Sequence, residues 1–125
     1  MKKIIVRAIN STKYSLHGLH KAYLTDKSFN LDVKICSIIL VVVIYLLWPI
    51  TETQFLFLFS SYALILIVEL VNTSIEQMLD KLYPEKNEMI GLSKDIASAA
   101  VFLSIMLAFV VVLVIALGKF GYSPF

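Results

Sequence analysis

Four polar residues recur along one face of a predicted helix in the middle of the chain. They are Glu69, Asn72, Glu76 and Asp80, at spacings of three, four and four residues. At about 100° per residue, all four fall within an arc of about 80° on the helix surface. Carboxylates held this close repel one another unless a cation lies among them. This set, called the polar stripe below, is therefore a candidate site for cation-dependent chemistry.

The chemistry that suits these residue types is phosphoryl transfer. Mg²⁺ prefers a few carboxylates together with substrate phosphates, and Glu76 with Asp26 could hold it. Lys94 and Arg7 could bind phosphate oxygens, the first as a point charge and the second as a fork. Glu69 lies in apolar sequence and suits a general base for an alcohol. Phosphoryl transfer needs mainly positioning, charge neutralisation and a base, so these groups would suffice.

Two other interpretations of the polar stripe remain open at this point. It would also serve as a polar seam between the helices of an oligomer, or as a path for ions or protons. The sequence contains no GxxxxGK[ST] or GxGxxG loop and no HExxH motif. His17 and His20 lack a third metal ligand, and the single cysteine, Cys36, excludes an intrachain disulfide and a cysteine metal cluster.

Long uncharged segments indicate the elements that must position the stripe. Of the 125 residues, 59% are hydrophobic and only 16% are charged, which is too apolar for a soluble domain of this size. Three segments contain no charged residue: 35–50, 55–68 and 96–117. Such segments are typical of membrane helices. We predict a single domain, 1–125, of all-α membrane class, with transmembrane helices at 34–50, 55–80 and 95–118.

The N-terminal segment, residues 1–27, predicts an amphipathic helix on the membrane surface. Its less polar face repeats at helical spacing through Ile5, Ile9, Thr12, Leu16, Leu19 and Tyr23. Basic side chains supply most of the remainder, as in segments that bind anionic lipid. A polar turn with Asp26, Asn30 and Asp32 follows, which helix capping explains adequately. No removable signal peptide is expected.

The basic residues predict the orientation of the chain. Seven precede the first span, three flank a polar loop predicted at 82–93, and only Lys119 lies on the opposite side. The positive-inside rule then puts the N-terminus and this loop in the cytoplasm, where ATP is available. About 21 Å of helix separates Phe55 from Glu69. Glu69 is therefore expected about 9 Å below the cytoplasmic edge of a hydrocarbon core of about 30 Å, and Glu76 at the interface.

Small residues repeat along the predicted third span at Ala97, Ala100, Ser104 and Ala108. Small residues at this spacing let helix backbones approach closely, so we predict a packing seam there. Such a seam would support an oligomer. No feature indicates a nucleic acid partner.

Two segments resemble the prokaryotic diacylglycerol kinase family. They are ELVNTSIEQMLD at 69–80, which matches the family pattern ExxN[ST]xIExxxD, and SKDIASAAV at 93–101. Tyr14, Ser15, Gly18 and Leu19 are also similar to its N-terminal segment. The resemblance covers nearly the whole chain. It implies a multi-pass kinase of the bacterial cytoplasmic (inner) membrane with a cytoplasmic N-terminus, forming a homotrimer with active sites shared between subunits.

The resemblance also implies roles for individual residues. Glu69 matches the catalytic base, and Glu76 and Asp26 match the Mg²⁺ ligands. The lipid substrate-binding positions are Arg7, Glu69 and Ser98. The ATP-binding positions are Arg7, Tyr14, Asp26, Asn72, Glu76, Glu85, Lys86, Asn87, Lys94 and Asp95. Two departures stand out: the family commonly has glutamate where this chain has Asp26, and the 85–87 segment lacks the histidine expected beside the adenine.

The expected function is ATP-dependent phosphorylation of the primary hydroxyl of diacylglycerol to phosphatidic acid at the cytoplasmic membrane face. The family also contains undecaprenol kinases with the same catalytic groups. The SAAV run at 98–101 and the hairpin with Trp48 are more similar to the diacylglycerol branch. An undecaprenol kinase is the alternative enzyme, and a small oligomeric ion channel or transporter subunit is the alternative without catalysis.

Overall fold

The computed structural model describes residues 1–121, which form four helices. These are α1 (Lys2–Thr25), α2 (Lys27–Leu46), α3 (Glu52–Leu82) and α4 (Glu88–Lys119). No strand occurs among residues 1–121. The helices α2, α3 and α4 are long and apolar enough to cross a membrane. The predicted class, an all-α membrane protein with three spanning helices, is confirmed.

Polar side chains fix the start of each spanning helix. Asp26 is the extended residue between α1 and α2, and its Oδ1 accepts a hydrogen bond from the Phe29 amide at 2.8 Å. Thr51 and Gln54 form a capping box on α3, in which each backbone amide donates to the other side chain, at 3.1 and 3.2 Å. Asn87 caps α4. These caps bond amides that would otherwise lack an acceptor at the helix start.

The capping box should contribute measurably to stability. Thr51→Ala is expected to lower the free energy of unfolding by about 1 kcal/mol, because the Gln54 amide loses its acceptor. Titration of the detergent-solubilised protein with a denaturing detergent measures this. Thr53→Ala, at an exposed neighbouring position, is the matched control and should leave the free energy of unfolding unchanged. An equal loss in both variants would contradict the role of the box.

The spanning helices pack together at the end away from the polar stripe. Leu47, Leu58 and Ile115 form a buried cluster there, and flanking apolar residues of α2 and α4 pack against it. The ammonium group of Lys119 donates a hydrogen bond to the carbonyl oxygen of Pro49. This contact ties the end of α4 to the turn between α2 and α3.

The small-residue row of α4 is used within the chain. Ser104 is buried, Ala97 and Ala108 are partly buried, and Ala100 is exposed. Since α4 packs mainly along α3, the buried part of the row closes that intrachain contact. The Ser104 hydroxyl donates to the Val101 carbonyl at 2.7 Å, which satisfies it inside the helix. The predicted seam exists, but it gives no separate support for contacts between subunits.

Three predicted boundaries are wrong. The helix α2 begins at Lys27 and not at residue 34, because Asp26 caps it there, so Asn30 and Asp32 lie within α2 and not in a turn. The helix α4 begins at Glu88, so the polar connection covers 83–87 instead of 82–93. Gly91 was expected to lie in the loop, yet a glycine costs a helix only about 1 kcal/mol, and the cap at Asn87 favours the earlier start. The helix α2 ends at Leu46, before the predicted residue 50. Pro49 explains this, because proline lacks an amide hydrogen and disfavours helix in the residue before it.

Candidate active site

The helical spacing of the polar stripe brings its central members together. Glu69, Asn72 and Glu76 are half-buried on α3, whereas Asp80 is exposed. The Asn72 side-chain amide donates to Glu76 Oε1 at 3.4 Å, across one helical turn. The side-chain oxygen of Asn72 is buried and has no hydrogen-bond partner within residues 1–121. A buried acceptor left without a donor is costly, so this oxygen is available as a ligand beside Glu76.

Acidic residues of α2 and of the turn before it lie against this part of α3. The charge of Glu69 is repelled most strongly by Asp32, and then by Glu76 and Asp26. Three further carboxylates are therefore within electrostatic reach of Glu69. This concentration of negative charge attracts a cation.

The oxygen ligands around Glu76 suit Mg²⁺. Within residues 1–121, no three His, Cys, Asp or Glu side chains are close enough together to hold a metal ion by themselves. Mg²⁺ does not require such a cage, since it keeps several waters and binds through one or two carboxylates plus substrate phosphates. Glu76, Asp26 and the buried oxygen of Asn72 are the hard oxygen ligands that this ion prefers. The residues present fit Mg²⁺ as an ion delivered with a phosphate ligand.

A basic side chain from α4 lies at the end of the predicted site nearest the α3–α4 connection. Lys94 Nζ donates to Asp80 Oδ1 at 2.7 Å, and the side chains are 34% and 65% exposed. Exposed ion pairs contribute only about 0–1 kcal/mol to stability. The importance of the pair lies in its position, because Lys94 is also within electrostatic reach of Glu76. The ammonium group of Lys94 has three N–H donors and gives one to Asp80, so two remain for a phosphate.

The remaining predicted site residues are exposed and are not hydrogen-bonded to the polar stripe in the described part of the chain. Arg7 and Tyr14 are exposed on α1 and lie beside the same shallow groove of that helix. Glu85, Lys86 and Asn87 are exposed in the α3–α4 connection, and Asp95 and Ser98 are exposed on α4. None of these side chains hydrogen bonds to the stripe in the described part of the chain. The isolated chain therefore brings together Asp26, Glu69, Asn72, Glu76 and Lys94.

One acidic residue at the site was missed by sequence reasoning. Asp32 is half-buried, accepts a hydrogen bond from the Ser28 hydroxyl at 3.5 Å and is within electrostatic reach of Glu69. Helix capping explains Asp26 alone, because only Asp26 caps α2 and Asp32 lies within that helix. The available signal was an acid three residues before an uncharged span, since acids at membrane depth are usually functional.

Comparison with known proteins identifies relatives along nearly the whole chain. Residues 13–116 match the family described as prokaryotic diacylglycerol kinase. The diacylglycerol kinase of Haemophilus influenzae is 31% identical over 107 residues, covering 86% of this chain and 89% of that protein. The diacylglycerol kinase of Escherichia coli strain K12 is 31% identical over 115 residues, covering 92% and 93%. That of Pseudomonas aeruginosa is 30% identical over 112 residues, covering 90% and 89%.

Proposed function

The chain belongs to the prokaryotic diacylglycerol kinase family, and we propose from this that it phosphorylates the primary hydroxyl of diacylglycerol with ATP. The products are phosphatidic acid and ADP. The observation that carries the proposal is the set of Glu69, Asn72 and Glu76 on one face of a membrane-spanning helix, with Lys94 nearby. It unites a base, hard oxygen ligands and a phosphate-binding cation, which are the components that phosphoryl transfer needs.

Glu69 is the proposed general base. It takes the proton of the lipid hydroxyl while the hydroxyl oxygen bonds to the γ-phosphorus and the bond from that phosphorus to the bridging oxygen of ADP breaks. Its position within the apolar part of α3 keeps water away from the reacting oxygen and leaves it half-buried. Such a base contributes about 10²–10⁴-fold to the rate.

Glu76 and Asp26 are the proposed Mg²⁺ ligands. When bound, the ion neutralises the developing charge on the β- and γ-phosphates. Asn72 orients Glu76 through the hydrogen bond between their side chains. The side-chain oxygen of Asn72 is buried and can accept a hydrogen bond from a bound water.

The proposed ATP site includes residues outside the group formed by the polar stripe, Asp26 and Lys94. Arg7, Tyr14, Glu85, Lys86, Asn87 and Asp95 are the further proposed nucleotide contacts, and Arg7 and Ser98 the further lipid contacts. These residues are exposed and make no hydrogen bond to the stripe in the described part of the chain, so a movement of α1 or a second copy would complete the site. We propose the second, a homotrimer with shared sites. The distribution of basic residues favours a cytoplasmic N-terminus in the bacterial inner membrane.

Lys94 gives a prediction that separates phosphate binding from structure. Lys94→Met is expected to raise the KM for ATP about tenfold or more, because a charge-assisted hydrogen bond to phosphate contributes about 1.5–3 kcal/mol. Asp80→Asn removes the same ion pair but keeps the lysine, so its effect on KM should be much smaller. Steady-state kinetics with varied ATP decides. If both variants raise KM equally, Lys94 acts through the ion pair and does not contact phosphate.

The proposed function is tested with the purified protein, ATP, Mg²⁺ and either diacylglycerol or undecaprenol. Phosphatidic acid formation is the expected result. Phosphorylation of undecaprenol alone would overturn the lipid assignment. If neither lipid is phosphorylated, the assigned reaction is wrong, and cation or proton flux through liposomes without ATP would then favour a channel.

A further inference from the structure

One aromatic residue lies at the end of the polar stripe and is not among the proposed site residues. It is Tyr83, the single aromatic residue between Tyr62 and Phe102 in the sequence. It is the C-cap residue of α3, and its side chain is 54% exposed. Within residues 1–121 its ring forms no pair with another aromatic ring. Packing inside the chain therefore does not account for a ring at this position.

Helical geometry places Tyr83 in line with the polar stripe. The Tyr83 amide donates to the Leu79 carbonyl at 2.8 Å, so the Cα of Tyr83 remains on the path of α3. Tyr83 lies 14 residues after Glu69. At about 100° per residue, this puts it about 40° from Glu69, on the side of Asn72 and inside the arc of about 80° that the stripe occupies. The next residue after Asp80 along this face is thus an exposed aromatic.

The order of groups along α3 corresponds to the order of parts in a nucleoside triphosphate. Glu69 is the proposed base at the transferred phosphate, and Glu76 is a proposed metal ligand. The pair of Asp80 and Lys94 marks the phosphate-binding end. Tyr83 lies about 4.5 Å further along the axis than Asp80. Beyond its phosphates a nucleotide carries a planar base, and aromatic side chains stack on the faces of such a base.

The rest of the α3–α4 connection offers a base no stacking surface. Residues 84–87 contain no aromatic side chain, although Glu85, Lys86 and Asn87 are the proposed nucleotide contacts there. The side-chain oxygen of Asn87 is engaged at the start of α4, where it accepts a hydrogen bond from the Met89 amide at 2.8 Å. A ring is the component that these contacts lack, and Tyr83 lies two residues before Glu85.

A role in the aromatic belt of the membrane does not fit the expected depth of Tyr83. Glu76 is expected at the edge of the hydrocarbon core, and Tyr83 is seven residues later in the sequence, or about 10.5 Å along the helix. The headgroup region adds only about 5–7 Å on each side of the hydrocarbon core. Aromatic belts lie at headgroup level. Tyr83 is thus expected on the aqueous side of the headgroups, where a nucleotide arrives.

We propose that Tyr83 binds the nucleotide by stacking on its base, so that the nucleotide lies along the polar stripe with the base at the α3–α4 connection. This inference deepens the proposed function and rests on it, because it assigns how ATP is held at its base end. Stacking of a base on an aromatic side chain strengthens binding by about 5- to 150-fold. Since every base has a stacking face, Tyr83 adds affinity for nucleotides without selecting adenine.

Equilibrium binding to the full chain in phosphatidylcholine nanodiscs, without lipid substrate, tests the proposal. Tyr83→Ala is expected to weaken Mg-ATP binding about tenfold, equivalent to about 1.4 kcal/mol, because the ring is lost. Tyr83→Phe keeps the ring and should bind Mg-ATP as the parent does. Magnesium tripolyphosphate has the phosphates but no base, so its affinity should be the same for the parent and Tyr83→Ala. Leu82→Ala, at an exposed neighbouring position outside the stripe, is the matched control and should change neither affinity.

The two probes separate contact with the base from a structural role. Equal weakening of ATP and tripolyphosphate binding in Tyr83→Ala would mean that Tyr83 supports the connection itself, and unchanged ATP binding would mean that the base lies elsewhere. Either result overturns the proposal. A loss in Tyr83→Phe as large as in Tyr83→Ala would overturn it as well, since the hydroxyl and not the ring would then matter. If the parent protein binds ATP but phosphorylates no diacylglycerol, the proposed function fails, and the binding measurements still decide the role of Tyr83.

Discussion

Glu69→Gln is expected to lower kcat by about 10³-fold, within the range of about 10²–10⁴ that general bases contribute. Glutamine keeps the size and polarity of the side chain but cannot accept the proton of the lipid hydroxyl. Because the change removes one of several mutually repelling acids, the fold should be retained and ATP binding should be nearly unchanged. Phosphatidic acid formation and equilibrium nucleotide binding, measured on the same preparation, check both parts.

Glu52→Gln is the matched control for this substitution. Glu52 is the first residue of the same helix, exposed and at the opposite end from the stripe. Removal of the Glu52 charge should leave kcat unchanged. Near-normal turnover of Glu69→Gln would show that another group takes the proton, and Asp32, which is within electrostatic reach of Glu69, would be the next candidate.

Glu76→Gln is expected to lower activity at ordinary Mg²⁺ concentrations by about 100-fold or more, since even residues that only orient metal ligands contribute about 10–100-fold to metal affinity or activity. The amide retains one oxygen but loses the charge that attracts the ion. Activity should therefore recover partly as Mg²⁺ is raised. Mg²⁺ titration of the initial rate measures the shift.

The contrast with Glu69 makes this result diagnostic. Excess Mg²⁺ should not restore Glu69→Gln, because the missing function there is proton transfer. If Mg²⁺ rescues both variants or neither, the division between base and metal ligand is wrong. Asn72→Ala should resemble a weaker Glu76→Gln, because it removes the hydrogen bond that orients the carboxylate.

The fold was predictable because each spanning helix leaves a strong local signal. Uncharged segments long enough to cross a bilayer mark α2, α3 and α4. The contact between Asn72 and Glu76 was predictable for the same reason, since residues four apart on a helix are neighbours whatever surrounds them. Both inferences depend on periodicity within one element.

The features that escaped prediction depend on contacts between elements. Nothing in the local sequence shows that Asp32 faces Glu69, because that depends on how α2 crosses α3. The ion pair of Lys94 with Asp80 likewise follows from the way that α4 packs along α3. Buried Ser104 could equally have faced another subunit, since small residues favour close packing of any two helices.

The joint between the surface helix and the first span consists of a single residue. The helix α1 ends at Thr25 and α2 begins at Lys27, so only the backbone angles of Asp26, φ −98° and ψ 109°, set the angle between them. Its carboxylate already bonds the Phe29 amide, which leaves only part of it for a metal ion. Any contact that the Asp26 carboxylate makes would therefore act on the start of α2 as well, and through the backbone of Asp26 on the angle between α1 and α2.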